Sequence, residues 1–85
     1  MPDYVVVLSK KAEKQLDKLN DKITEPIFNA IDKLTHDPRP NGCKKLKGRE
    51  AYRIRIGDYS VIYKILDRQL IIDVVTVGHR KDVYE

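Results

Sequence analysis

The basic side chains of this sequence are concentrated in one stretch. Six of them fall within a dozen positions, namely Lys44, Lys45, Lys47, Arg49, Arg53 and Arg55. The chain as a whole has a net charge of +4, with 17 lysines and arginines against 13 acidic residues. Neutralising phosphates releases condensed counterions, so such a cluster can bind RNA or DNA without reading its sequence. The alternative is a solvated loop, and composition alone does not separate the two.

Cysteine and histidine offer little further chemistry. Cys43 is the only cysteine, which excludes an internal disulfide, and its position beside lysines is weak support for a nucleophile. His36 and His79 lack the spacing to Cys43 that zinc ligands require. We therefore expect neither a metal nor another cofactor.

The length of the chain sets the number of domains. With 85 residues it can bury one modest core, so residues 1–85 are predicted to form a single domain. Hydrophobic residues make up 41% and charged residues 35%, which suits a soluble folded protein better than a membrane span. The first residues lack the basic start and long apolar stretch of a signal peptide, which predicts a cytoplasmic protein.

Local patterns predict that the chain opens with a strand and two helices. The run Val5–Leu8 is mostly β-branched, as in strands, and Ser9 can cap a following helix. Proline is tolerated only in the first turn of a helix, so Pro26 predicts that the second helix begins near Thr24. Two apolar stripes define the helices, Ala12, Leu16 and Leu19 for the first and Ile23, Ile27, Ala30, Ile31 and Leu34 for the second.

The second half of the chain predicts a long loop and three strands. Residues 37–49 contain two prolines and two glycines, which disfavour regular structure. In Tyr52–Ile56 apolar and basic residues alternate, so Arg53 and Arg55 share the sheet face opposite the isoleucines. Residues 59–66 and 69–77 predict two further strands, joined by a tight turn at Asp67 and Arg68.

These elements predict an α+β fold in the order β-α-α-β-β-β. A helical hairpin would pack on one face of a mainly antiparallel four-stranded sheet. The opposite face, which carries Arg53 and Arg55, is predicted to be open. Three tyrosines, Tyr52, Tyr59 and Tyr63, share the alternation of the isoleucines, so core packing is predicted for them in preference to base stacking.

Three stretches of this chain resemble the RelE/ParE superfamily of toxins, and the resemblance spans essentially the whole chain. They are residues 44–48 (KKLKG), 52–63 (YRIRIGDYSVIY) and 77–84 (VGHRKDVY). The last stretch is the most discriminating, because it places Arg80 and Tyr84 four residues apart just beyond the last predicted strand.

The resemblance implies roles for individual residues. In RelE toxins basic residues on the second strand hold the phosphate to be cut, and an arginine and a tyrosine near the C-terminus complete the site. Many relatives also have an arginine directly after the tyrosine of the Gly-Asp-Tyr stretch, where this chain has Ser60, which predicts a weaker site. The catalytic roles fall to Arg53, Arg55, Arg80 and Tyr84, and contacts to the RNA backbone to Lys44, Lys45 and Lys47.

The residue types also suit RNA cleavage without a metal. The 2′-hydroxyl must lose a proton, the phosphorane charge must be stabilised and the departing 5′-oxygen must be protonated. The planar forks of Arg53, Arg55 and Arg80 match phosphate oxygens, so these are the predicted stabilisers. Tyr84 is the predicted base, and because a free phenol has a pKa of about 10, nearby arginines would have to lower it. His79 is the rival base, since histidine changes charge near neutral pH, and its alternative is a structural role.

The function implied by the resemblance is that of a type II toxin, a ribosome-dependent endoribonuclease that cleaves mRNA. It implies a cognate antitoxin as partner, acidic or partly disordered and encoded nearby. One alternative is a non-catalytic poison of DNA gyrase resembling the ParE branch, which Ser60 favours. A second is a weakened toxin that only binds its antitoxin or RNA.

Overall fold

The computed structural model describes residues 3–79, which form one sheet covered by two helices. The elements are β1 (Val5–Leu8), α1 (Lys10–Asp17), α2 (Asp21–Leu34), β2 (Lys44–Lys45), β3 (Tyr52–Ile56), β4 (Tyr59–Leu66) and β5 (Ile71–His79). The strand order is β1-β5-β4-β3-β2, with β1 parallel to β5 and the other pairs antiparallel. The predicted α+β fold is confirmed. Neither helix of this range is long and apolar enough to cross a membrane.

The sheet has one strand more than predicted. Lys44 and Lys45 lie in the stretch predicted as a loop, yet they pair with Arg53 and Tyr52 as β2. A strand of two residues is too short to carry an alternating pattern, so it exists because β3 offers it a partner. The predicted four-stranded sheet was therefore short by this edge strand.

The second helix begins earlier than predicted. It starts at Asp21, where Asn20 caps it by accepting a hydrogen bond of 3.1 Å from the amide of Ile23. Pro26 lies in the second turn and cannot donate to the carbonyl four residues before it. The predicted start near Thr24 was wrong because the cap and the buried stripe offset the lost hydrogen bond.

The last strand is displaced along the chain from its predicted position. Residues 67–70 form the turn, and Leu70 has a φ of 54°, outside the range of a regular strand. β5 therefore begins at Ile71 instead of Gln69, and it continues to His79, two residues beyond the predicted end.

The main core lies between the helices and one face of the sheet. Tyr63 is fully buried there, and Tyr52 and Tyr59 pack against the same cluster, which confirms the predicted core role of the three tyrosines. The buried members of this core are Ala12, Leu16, Ile27, Ile31, Leu34, Ile54, Val61, Tyr63, Ile72, Val74 and Val77.

Candidate functional site

The basic residues of β3 lie on the sheet face turned away from the helices, here called the outer face. Ile54 packs into the core, so Arg53 and Arg55, its neighbours in the strand, point to the other side. Residues paired across antiparallel strands project to the same side. The pairing therefore adds Lys44, opposite Arg53, and Ser60, opposite Arg55, to the outer face.

The two arginines differ in exposure. Arg55 is exposed, whereas Arg53 is only 7% exposed. Ile62, the partner of Arg53 in β4, is covered by Leu46 and Ala51, which bury themselves against it. The prediction of an open face was wrong at this end, because the segment between β2 and β3 folds over the sheet to bury these apolar side chains. Arg55 is thus the more accessible of the two cations.

Residues 44–51, here called the basic hairpin, form this covering segment. The amide of Leu46 donates a hydrogen bond of 2.9 Å to the carbonyl of Ala51. Gly48 has a φ of 67°, which favours glycine and allows the tight turn. Lys44 and Lys45 are successive strand residues, so only Lys44 projects to the outer face. The exposed basic side chains of the hairpin are Lys44, Lys45, Lys47 and Arg49.

His79 lies on the opposite side of the sheet from the two arginines. Its partner in β4 is Tyr59, which packs against the main core, and the two rings meet edge to face with centroids 5.5 Å apart. His79 also lines a shallow depression with Gln15 and Lys18 of α1. The structure therefore does not bring His79 to the arginines, and its surroundings favour the structural role.

A β-bulge sets this orientation of His79. Consecutive residues of β4, Ile62 and Tyr63, pair with residues 76 and 74 of β5, so Val75 is an extra residue in the strand. One extra residue reverses the faces of all that follow. Val77 is thereby buried in the core and His79 turns toward the helices.

Ser60 is buried at the centre of the outer face. It is 1% exposed, and its hydroxyl has no hydrogen-bond partner among residues 3–79. Its neighbours across the strands are Arg55 on β3 and Gly78 on β5. The position thus has a cation on one side and a residue without a side chain on the other.

Two predicted site residues, Arg80 and Tyr84, lie outside the described residues, so their roles stay predictions. Arg80 directly follows His79, the last residue of β5, and Gly78 pairs there with Ser60. β5 therefore ends beside the position that is paired with Arg55. Within residues 3–79 no group of three His, Cys, Asp or Glu side chains is placed to hold a metal ion.

The arrangement of the outer face suits a phosphate backbone. Lys44 and Arg53 are opposite each other in adjacent strands, and Arg55 stands two residues further along β3. Arginine forks can hold phosphate oxygens through two hydrogen bonds at once, and the exposed lysines can contact neighbouring phosphates as point charges. The face can therefore bind a polyanion and stabilise negative charge near Arg55.

The structure contains a polar cluster that the sequence did not predict. Arg39 Nη2 donates to Asp67 Oδ2 at 3.1 Å and its Nε donates to the hydroxyl of Tyr52 at 3.3 Å. The hydroxyl of Tyr4 donates to Asp67 Oδ1 at 2.7 Å. These hydrogen bonds hold the pKa of the Asp67 carboxyl below its usual value, and the one from Tyr4 has a larger effect than the one from Arg39. The four residues, here called the Arg39 cluster, are far apart in the chain, and no motif marks them.

Known protein sequences match this chain over almost its whole length. Residues 6–84 match the family described as the ParE toxin of the type II toxin-antitoxin system parDE. A RelE-like toxin protein of Escherichia coli is 31% identical over 85 residues, covering 95% of this chain and 90% of the relative. The mRNA interferase toxin RelE of Escherichia coli K12 is 25% identical over 81 residues, covering 92% and 84%.

Solved structures with the same fold include toxins crystallised with their antitoxins. The archaeal RelE–RelB complex of Pyrococcus horikoshii matches with a TM-score of 0.82 and 28% identity, covering 95% of this chain and 99% of that one. The RelBE2 toxin–antitoxin complex of Mycobacterium tuberculosis matches with a TM-score of 0.80 and 26% identity, covering 92% and 99%.

Proposed function

The chain belongs to the ParE toxin family within the RelE/ParE superfamily of type II toxins, and on this basis we propose that it is an endoribonuclease acting on mRNA in the ribosome. The observation that carries the proposal is the outer face, where exposed Arg55 lies beside Ser60 and the end of β5. In the sequence, Arg80 directly follows His79, the last residue of β5. The relative named mRNA interferase toxin RelE supports the same activity.

The proposed reaction is attack by the 2′-hydroxyl of a ribose on the adjacent phosphorus. Tyr84 takes the hydroxyl proton, the 2′-oxygen forms a bond to phosphorus, and the bond from phosphorus to the 5′-oxygen breaks. The departing 5′-oxygen takes up a proton from solvent water, which leaves a 2′,3′-cyclic phosphate and a free 5′-hydroxyl. Arg53, Arg55 and Arg80 stabilise the negative charge on the phosphorane.

The basic hairpin supplies binding in this scheme. Lys44, Lys45 and Lys47 are exposed and contact phosphates along the RNA backbone. Such contacts release counterions, so binding weakens as the salt concentration rises. They fix the position of the RNA without reading its bases.

Two assays run side by side test this function. Purified protein is added to ribosomes stalled on a defined mRNA, and to DNA gyrase in a supercoiling reaction. Cleavage of the mRNA at the ribosome with normal supercoiling is the expected result. Inhibited supercoiling with intact mRNA would instead identify a gyrase poison, which the name of the matched family and Ser60 make the competing function.

We further propose a cytoplasmic antitoxin as the partner of this chain. The solved relatives from Pyrococcus horikoshii and Mycobacterium tuberculosis are complexes with antitoxins. An acidic, partly disordered protein suits the outer face, because the exposed cations there attract negative charge and speed the encounter. Co-expression with the adjacent reading frame is expected to yield a stable complex that no longer cleaves RNA. A neighbour that neither binds nor inhibits would contradict this assignment.

Restoring a cation at position 60 is expected to increase cleavage. The variant Ser60→Arg adds a charged donor beside Arg55, and a hydrogen bond from an ionised donor corresponds to roughly tenfold in rate when it forms only in the transition state. Because Ser60 is buried, the longer side chain will cost about 1 to 3 kcal/mol of stability through overpacking. Single-turnover cleavage of ribosome-bound mRNA measures the gain.

The variant Ser60→Met separates charge from packing. It introduces a long side chain without a charge, so it should share the loss of stability but not the gain in rate. If folded Ser60→Arg cuts no faster than Ser60→Met, the missing arginine does not limit this protein.

A further inference from the structure

The segment between α2 and β2 is held by a hydrogen bond from the sheet and by a turn of its own. The hydroxyl of Tyr63, in the core, donates a hydrogen bond of 2.7 Å to the carbonyl of Pro38. Further along, the amide of Cys43 donates to the carbonyl of Pro40 at 3.1 Å, which closes a turn directly before β2. The course of the chain into the basic hairpin is thus set before its first lysine.

Arg39 joins this segment to two other parts of the protein. Its guanidinium binds Asp67 in the turn between β4 and β5, and Tyr52 at the start of β3. It also lies over the ring of Tyr52, 5.3 Å from the centroid, in a cation–π contact. Asp67 is held in turn by Tyr4, which directly precedes β1.

Tyr52 connects Arg39 to the pairing between β2 and β3. It is the partner of Lys45 in the pairing of β2 with β3, and the next pair in register is Lys44 with Arg53. A two-residue strand has too few backbone hydrogen bonds to hold its own position. The far end of the basic hairpin is anchored by Leu46 and Ala51 on Ile62. The near end is held by Cys43, which packs against the main core, and by the contacts of Arg39.

We propose that Arg39 is a positioning residue for RNA binding, which holds β2 against β3 so that Lys44 stands beside Arg53 on the outer face. The inference rests on the proposed function in that it takes RNA as the ligand of this face. Arg39 itself contacts the chain and not the ligand.

The expected effect of Arg39 is local. The side chains of Arg39 and Asp67 are 47% and 55% exposed, and exposed ion pairs contribute little to global stability. The same contacts act on a short edge strand that has few others, so their loss should loosen the hairpin and leave the core unchanged.

Arg39→Met tests the proposal, with Arg68→Met as the matched control. Arg68 is an exposed arginine next to Asp67 in the same turn, so its removal costs the same charge. For Arg39→Met we expect binding of a single-stranded RNA oligonucleotide to weaken, and KM for cleavage to rise, by about 3- to 10-fold. The kcat should stay within about twofold, because a lost binding contact acts on KM. Arg68→Met should change neither.

Two spectroscopic readouts follow the structural change itself. Hydrogen exchange at the amide of Cys43, which donates to Pro40 directly before β2, should accelerate in Arg39→Met and not in Arg68→Met. The carboxyl of Asp67, titrated by NMR, should show a pKa closer to its usual value in Arg39→Met, since one of its donors is gone.

The outcomes separate this inference from the proposed function. Equal RNA binding and equal exchange of the Cys43 amide in the two variants would overturn the role of Arg39. A wild-type protein that binds RNA without cutting it would overturn the nuclease, while the binding and exchange measurements still decide the inference. A wild-type protein that neither binds the oligonucleotide nor cuts ribosome-bound mRNA would overturn both.

Discussion

Replacing Arg55 with alanine is expected to leave the protein folded and to slow mRNA cleavage by about 100-fold. The side chain is exposed on the outer face, so little packing is lost with it. In the proposed site it donates to phosphate oxygens whose negative charge grows in the transition state, and losing such a donor acts mainly on kcat. Rates with saturating ribosome complexes, together with the melting temperature, measure both parts of this expectation.

Lys64→Ala is the matched control for Arg55→Ala. Lys64 is also an exposed cation of the outer face, but it lies four residues along β4 from Ser60, about 13 Å away. Its removal should lower RNA affinity slightly through charge alone. If both variants retain the wild-type kcat, Arg55 does not act on the reacting phosphate. Arg53 is a poorer probe, because it is buried and its replacement would also disturb packing.

Tyr84→Phe is expected to slow cleavage by more than about 100-fold, whereas His79→Ala should cut at close to the wild-type rate. The first variant removes only the oxygen that takes the proton in the proposed reaction. His79 faces the helices and packs against Tyr59, across the sheet from Arg53 and Arg55. Replacing His79 should therefore lower the melting temperature and leave the cleavage rate close to that of the wild type.

Single-turnover rates over a range of pH distinguish the two residues. In the wild type, the cleavage rate should rise with pH as the proposed base loses its proton. That rise should be absent from the variant that lacks the base. Normal cleavage by Tyr84→Phe together with a slow His79→Ala would reverse the assignment. It would also require the sheet end near His79 to rearrange when RNA binds.

The amino-acid sequence by itself determined the class of fold and the face of the key strand. Apolar and basic residues alternate in β3, and because strand side chains alternate without exception in a regular ladder, Arg53 and Arg55 had to oppose Ile54. The two apolar stripes likewise required helices that cover a sheet. Local periodicity is sufficient for such features, since each depends only on residues close together in the chain.

Element ends and short elements depended on contacts that periodicity does not contain. Pro26 predicts a later start for α2, but the capping hydrogen bond to Asn20 sets the start at Asp21. β2 consists of two residues and forms only because β3 pairs with it. The Arg39 cluster joins residues 4, 39, 52 and 67, so only the folded chain brings it together.

The exposure of the site and the place of His79 were decided by the tertiary structure alone. Leu46 and Ala51 bury themselves against Ile62, the neighbour of Arg53 across the strands, which no local pattern indicates. In β5 uninterrupted alternation from the buried Val74 would have put His79 on the same face as the arginines. The bulge at Val75 inserts one residue and reverses that face. A one-residue shift in strand pairing, set by how β5 packs against β4 and the helices, thus separates His79 from the site.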